Sequence, residues 1–276
     1  MINMFDILSF FTEDTMTYSE SNIVMYVFDE ARTDEFIMNS LNSYRYAYIS
    51  DEDLSENVAK MGTARSEEIK EVLPTDPIIQ SGEFAEILTF MLFHALYPEY
   101  NVAPLRWRWK EEKNRAVHFA DIMLLSCPDE EYPKDTDKIM TIEVKSRATR
   151  PGKRESSINK AIGGAMKDSI SREGKTLSFL LQRYKRDKQF DMAKKVKRFE
   201  DAVAYPYQTQ HNAMAIVDSS YMDVYHIGNL DSTLIEEIES FNNAHTMSHH
   251  SMAVFVIPMD NLKSKYERVY QAIPNS

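Results

Sequence analysis

The stretch that most constrains this chain runs from His118 to Arg147. Two short apolar runs, residues 121–125 (DIMLL) and 139–144 (IMTIEV), flank a polar connection that holds Pro128, Pro133 and several acids. The pattern predicts two buried strands joined by a solvated hairpin connection. Asp121 begins the first run, and Glu143 and Lys145 close the second with only Val144 between them. Side chains on a strand alternate faces, so Glu143 and Lys145 should share one face while Val144 points into the core. If the strands pair, Asp121 comes beside Glu143 at one end of the sheet.

Two carboxylates placed in this way repel one another unless a divalent cation joins them. Mg²⁺ suits such a site, because it takes a few carboxylates and keeps water at its other positions; Mn²⁺ is the expected substitute. A lysine beside the pair could steady an attacking water or a phosphate oxygen, while the metal offsets the charge of the leaving group. The competing reading is a solvated Glu–Lys pair at a strand end, worth little energetically. Three features weigh against it: an acidic helix upstream, an apolar run leading to each acid, and a basic helical stretch that follows.

At 276 residues the chain could form one large domain or two small ones. A hydrophobic content of 43%, with 11% aromatic residues, supports a packed core rather than disorder. The first residues, MINMFDILSFF, contain Asp6 and lack a basic flank or a cleavage pattern, so they do not read as a signal peptide. No apolar run approaches membrane-spanning length, and a cytoplasmic protein with no membrane partner is expected. The single cysteine, Cys127, excludes an internal disulfide and a cysteine-based zinc cluster.

The net charge of −11 argues against nucleic acid until its distribution is considered. Residues 144–198 hold 17 Lys and Arg against 5 Asp and Glu, whereas residues 1–82 hold 5 against 16. The cations crowd in just after Lys145, where phosphates would need neutralising, so DNA is the expected partner. The acidic N-terminal third would repel DNA and is expected to pack on a protein partner or to screen the active surface.

The order of elements predicts an α/β (α+β) fold, a central mixed sheet flanked by helices. Residues 1–78 form an acidic N-terminal α/β portion, and residues 79–276 form the core, with a basic helical segment at 155–203. In the first portion, residues 23–28 (IVMYVF) and 44–49 (YRYAYI) read as strands, and residues 32–42 and 51–60 as helices. Gly82 is expected to open a helix over residues 83–96, with Phe84, Leu88, Met91 and Ala95 on its apolar stripe. Glu83 and Glu86 lie three apart on that helix, near one face; as N-terminal acids they also suit the helix dipole. Residues 105–110 (LRWRWK) read as a strand with Trp107 and Trp109 on one face and Arg106, Arg108 and Lys110 on the other.

After Lys145 comes a basic loop carrying Arg147, Arg150, Lys153 and Arg154, then a helix over residues 158–171 with Lys160 near its start. These five cations and Lys145 are the candidate nucleic-acid contacts. Gly163 and Gly164 weaken that helix, and a close approach to a strand or ligand would be a reason to keep them. Helical segments are expected at 177–184, 190–203, 233–241 and 261–272, and strands at 213–217 and 252–257. His245, His249 and His250 lie close together, but no matching acid or cysteine is spaced beside them, so a polar loop is the expectation there.

The aspartate, the Glu143-Val144-Lys145 tripeptide and the upstream acidic helix together resemble the PD-(D/E)XK nuclease superfamily over residues 80–171. Two departures are visible: Ala120 stands where Pro or Gly is common, and the connection between Asp121 and Glu143 is longer than in compact members. The resemblance implies a restriction-endonuclease-like core and Mg²⁺-dependent hydrolysis of DNA. It assigns catalytic roles to Asp121, Glu143 and Lys145, with Asp121 and Glu143 holding the metal. Glu83 or Glu86 would assist through water, and Glu83, directly after the glycine, is the first choice. Within the superfamily the chain looks most like the HamA-type subunit of Hachiman anti-phage defence. That likeness implies a defence effector restrained by a helicase or ATPase partner. Two other classes stay open: a non-catalytic nucleic-acid-binding or regulatory subunit on the same fold, and a structural interaction protein.

Overall fold

The connection between the two apolar runs makes the expected hairpin. Strand β3 (Ile122–Ser126) lies antiparallel to β4 (Lys138–Arg147), with Ile122 opposite Ile142 and Ser126 opposite Lys138. The computed structural model describes residues 5–14, 23–117, 119–152, 156–244 and 250–276. Among these, β1 (Phe11–Asp14), β2 (Ile23–Phe28), β5 (Gln208–Asp218) and β6 (His250–Met259) complete one mixed sheet in the order β1-β2-β6-β5-β4-β3. The four central strands, β2, β6, β5 and β4, run parallel, and the two edge pairs are antiparallel. β2 pairs with β6, so the N-terminal portion extends the main sheet.

Helices cover both faces, which is why β5 is apolar at consecutive positions rather than alternating. On one side Met214 and Ile216 pack with α1 (Thr33–Tyr48), α4 (Pro77–Leu96) and α9 (Leu262–Ala272). On the other, Ala213, Ala215 and Val217 meet α5 (Ser157–Lys167) and α8 (Ser232–Ala244). A third cluster joins Met123, Leu125 and Ile139 to α6 (Glu173–Arg186) and α7 (Phe190–Lys197). Two further helices, α2 (Asp51–Met61) and α3 (Arg65–Val72), lead from α1 to α4.

Three local expectations are corrected. Residues 44–48 end helix α1 instead of forming a strand, because Phe36, Ile37, Leu41, Tyr44, Ala47 and Tyr48 are buried at helical spacing. Residues 106–109 form a 3₁₀ turn with Arg106 buried beside Trp107, so cations and tryptophans do not segregate to two faces. Helix α4 starts at Pro77, not Glu83. Asp76 caps it by accepting from the Ile78 N–H at 2.8 Å, and Pro77 suits the first turn, where its missing N–H costs nothing. Gly82 is therefore interior. His245, His249, Lys153 and Arg154 lie outside the described residues, as does the side chain of His250.

Candidate active site

Asp121 stands one residue before β3, where β4 continues without that neighbour. Its Oδ2 takes over the ladder's role by accepting from the Val144 N–H at 2.9 Å. This fixes the carboxylate at the sheet edge, with Oδ2 3.8 Å from Lys145 Nζ and Oδ1 3.9 Å from Arg106 Nη2. Pleating then does what alternation predicts: Val144 enters the core under α4, and Glu143 lies on the opposite, α5 face. Lys145 Nζ donates to Glu143 Oε1 at 2.5 Å and to the Val144 carbonyl at 3.2 Å. The sheet edge thus brings Asp121, Glu143 and Lys145 together.

The two helix glutamates part company. Glu86 Oε2 accepts from Trp107 Nε1 at 3.0 Å and lies 4.0 Å from the same Arg106 nitrogen that faces Asp121. Glu83 instead pairs with Lys110 at 2.6 Å and accepts from Tyr48 Oη at 2.8 Å, and Tyr48 is bonded in turn to Tyr270 at 2.7 Å. Glu86 therefore sits at the Asp121 cluster, while Glu83 closes a buried network one helical turn earlier.

Three participants carry no motif signal. Arg106 donates to the Ala120 and Val117 carbonyls and so holds the approach to Asp121. Arg172 reaches Glu143 Oε2 at 3.3 Å and the Gly164 carbonyl at 3.1 Å. Its Nε lies 3.1 Å from Asp168 Oδ1 in an ion-pair contact that is not aligned as a hydrogen bond. Asp168 and Arg172 bound a π-helical turn between α5 and α6. The only sequence hint was their spacing of four, which one helix face would join. Gly164 did carry a signal. A Cβ there would lie 2.5 Å from Glu143 Cδ and Oε1, so only glycine lets α5 pass over this carboxylate.

The electrostatics reflect crowded acids. Burial, reinforced by Asp121 and opposed by Arg106, pushes the Glu86 carboxyl up to about 8. Burial, with Glu143 and Asp121 adding to it against Arg172, pushes Asp168 up to about 7. Glu83 is raised by burial in spite of Lys110. Burial alone would lower the Lys145 pKa, but Asp121 and Glu143 outweigh it and raise it.

Among the described residues no group of three or more His, Cys, Asp or Glu side chains is close enough to hold a metal ion. A smaller donor set does fit a hard cation. Lys145 Nζ faces one oxygen each from Glu143, Val144 and Asp121, so three oxygens already surround one positive charge.

The remaining nucleic-acid candidates lie further along. Arg147 folds back on the Thr149 and Arg150 carbonyls at 3.1 Å, and the exposed Arg150 donates to Tyr225 Oη at 2.7 Å. Lys160 is exposed on the first turn of α5. Among the described residues no helix is long and apolar enough to cross a membrane. No curated protein matches the chain. A family model for HamA matches residues 6–273. A match over nearly the whole length shows that the chain belongs to the HamA family, and ties it to Hachiman anti-phage defence.

Proposed function

We propose that this protein is a metal-dependent deoxyribonuclease that hydrolyses phosphodiester bonds in DNA as the effector of its defence system, restrained by a helicase or ATPase partner. The observation that carries the reading is the convergence of Asp121, Glu143 and Lys145 at one edge of the sheet, with the raised Glu86 carboxyl beside them. The likeness of these residues to the PD-(D/E)XK pattern supports it, as does membership of a defence family.

Asp121 and Glu143 would hold Mg²⁺, or Mn²⁺ in its place, which supplies positive charge for the phosphate oxygens. The chain's own groups do the rest. The Lys145 ammonium, kept charged by both carboxylates, orients the attacking water and a phosphate oxygen. Glu86 can hold or release a proton near neutral pH, which suits a group assisting through water. Arg106 fixes Asp121 relative to Glu86. Lys145, Arg147, Arg150 and Lys160 would follow the DNA backbone, and Lys153 and Arg154, close to Arg150 in the sequence, would add to them.

One observation favours the non-catalytic alternative: Lys145 and Arg172 already neutralise Glu143 from both sides. The two readings part in one experiment. Purified protein incubated with DNA and Mg²⁺ should cut it, whereas Glu143→Ala and Lys145→Ala should each lose at least about 100-fold in rate. Equal cleavage by wild type and both variants, with contaminants excluded, removes the assignment. A binding or regulatory subunit would show no cleavage and no Asp121-dependent affinity for Mn²⁺.

A further inference from the structure

Next to the carboxylate cluster, between the 106–109 turn and α6, lies a cavity of about 220 Å³. Three aromatic side chains line it: Trp109, Phe119 and Phe179. The Phe179 ring is centred 6.0 Å from Trp109 and 5.8 Å from Phe119, at interplanar angles of 77° and 49°. Arg183 lies over the Phe179 ring, 5.2 Å from its centroid. The exposed Arg115 is on the rim.

The backbone at Phe119 is strained. Its φ of 78° falls in the left-handed region, which a side chain with a Cβ rarely adopts. Such strain persists where the surroundings impose it, and it clusters at functional sites. Phe119 is two residues before Asp121, so the segment that sets the carboxylate at the sheet edge also presents this ring to the cavity. Phe179 also lines a small void together with Arg106 and Ala120, and Arg106 lies 3.9 Å from Asp121, so the cavity and the cluster are neighbours across one layer of side chains.

The shape and chemistry select among ligands. The volume is below the roughly 300–1,000 Å³ typical of drug-sized sites, and aromatic walls accept a flat ring of any identity. Glu111 and Glu112 line the cavity beside Lys110, Arg115 and Arg183. Glu111 pairs with Arg183 at 3.4 Å and Lys110 with Glu83 at 2.6 Å, so the charges are largely balanced and the aromatic walls favour a flat uncharged ring over a phosphate. A phosphate left outside would meet Arg115. We infer that this cavity receives the base of an unpaired nucleotide and holds a single strand of DNA beside the carboxylates. The inference rests on the nuclease reading and adds the form of the substrate: within a duplex, away from its ends, every base is paired and stacked on both faces.

The test reads binding, not cleavage. Wild-type protein in EDTA is titrated with a short mixed-sequence single strand, with the blunt duplex of that sequence, and with dAMP, following tryptophan emission. The chain has two tryptophans, of which Trp107 is buried, so comparison with Trp109→Phe isolates the signal of Trp109. The single strand should quench Trp109 and bind more tightly than the duplex. Phe179→Ala should weaken the single strand roughly 5- to 150-fold, and Phe179→Tyr should restore it. Binding of dAMP as tight as that of the strand would identify the base's source as a free nucleotide and still support the pocket. Absence of quenching, equal affinity for duplex, or an affinity indifferent to Phe179→Ala overturns the inference. Base binding without Mg²⁺-dependent cleavage would sink the nuclease reading and leave the pocket; cleavage with binding indifferent to Phe179 would do the reverse.

Discussion

Glu86 shares its nearest cation with a competitor. Arg106 Nη2 lies about equally far from Glu86 and Asp121, and both terminal nitrogens of that guanidinium are already donating to backbone carbonyls. The attraction of Arg106 is outweighed by burial and by Asp121, and the carboxyl rises from 4.5 to about 8. Over that interval the folded protein keeps a proton that the unfolded chain has released. Stability from this group is therefore fully present below about pH 4.5 and is lost as pH rises through about 8. Glu86→Gln carries no such proton. It should match wild type near pH 5 and exceed it near pH 9 by on the order of a few kcal/mol in metal-free urea denaturation. Asp168 adds a slope of the same sign, which this variant would leave in place. An identical pH profile in the two proteins would show that Glu86 is ionised throughout.

At the scale of elements, the approach of α5 to β4 decides whether Glu143 is available. Two adjacent glycines in α5 make a controlled comparison. A Cβ on Gly163 meets nothing within 4 Å, whereas one on Gly164 collides with the Glu143 side chain. Gly163→Ala should be neutral or stabilise by up to about 1 kcal/mol through helix propensity. Gly164→Ala should cost about 1–3 kcal/mol as an overpacked contact and displace Glu143, with loss of any metal-dependent activity. Denaturation midpoints and a cleavage assay on the pair check this, and equal behaviour of the two variants would refute it. The glycine pair was readable in the sequence because glycine inside a helix demands a reason. Strands β3 to β6 were readable because buried strands are short apolar runs. The 44–49 segment was not, because Tyr44, Tyr46 and Tyr48 alternate like a strand. Their burial follows helical spacing, with Tyr46 half-buried beneath Arg108, whose guanidinium lies 4.2 Å from its ring. Arg106 and Arg172 were invisible for another reason. Each acts on an acid more than ten residues away, through contacts that only the assembled sheet and helices create.

At the scale of the whole molecule, the acidic N-terminal portion is woven into the same core as the carboxylate cluster. Tyr44 Oη donates to the Phe84 carbonyl at 3.1 Å and Tyr48 Oη to Glu83 at 2.8 Å, so α1 holds the helix that carries Glu86. Arg108, next to the buried Trp107, donates to the Tyr46 carbonyl at 2.5 Å through Nη2. One apolar cluster contains Phe36, Tyr44, Phe84, Met214 and Phe255 together, and β2 supplies the neighbour of β6. Removing residues 1–78 would bare the apolar side of α4 and an edge of the parallel sheet, which invites aggregation. A chain beginning at residue 79 should therefore fail to give a soluble monomer. The full chain should unfold in one transition, with far-ultraviolet circular dichroism and tryptophan emission coincident. Two separated transitions, or a soluble and cooperative fragment, would mean that the N-terminal portion is an independent domain and that Glu83 and Glu86 are positioned without it.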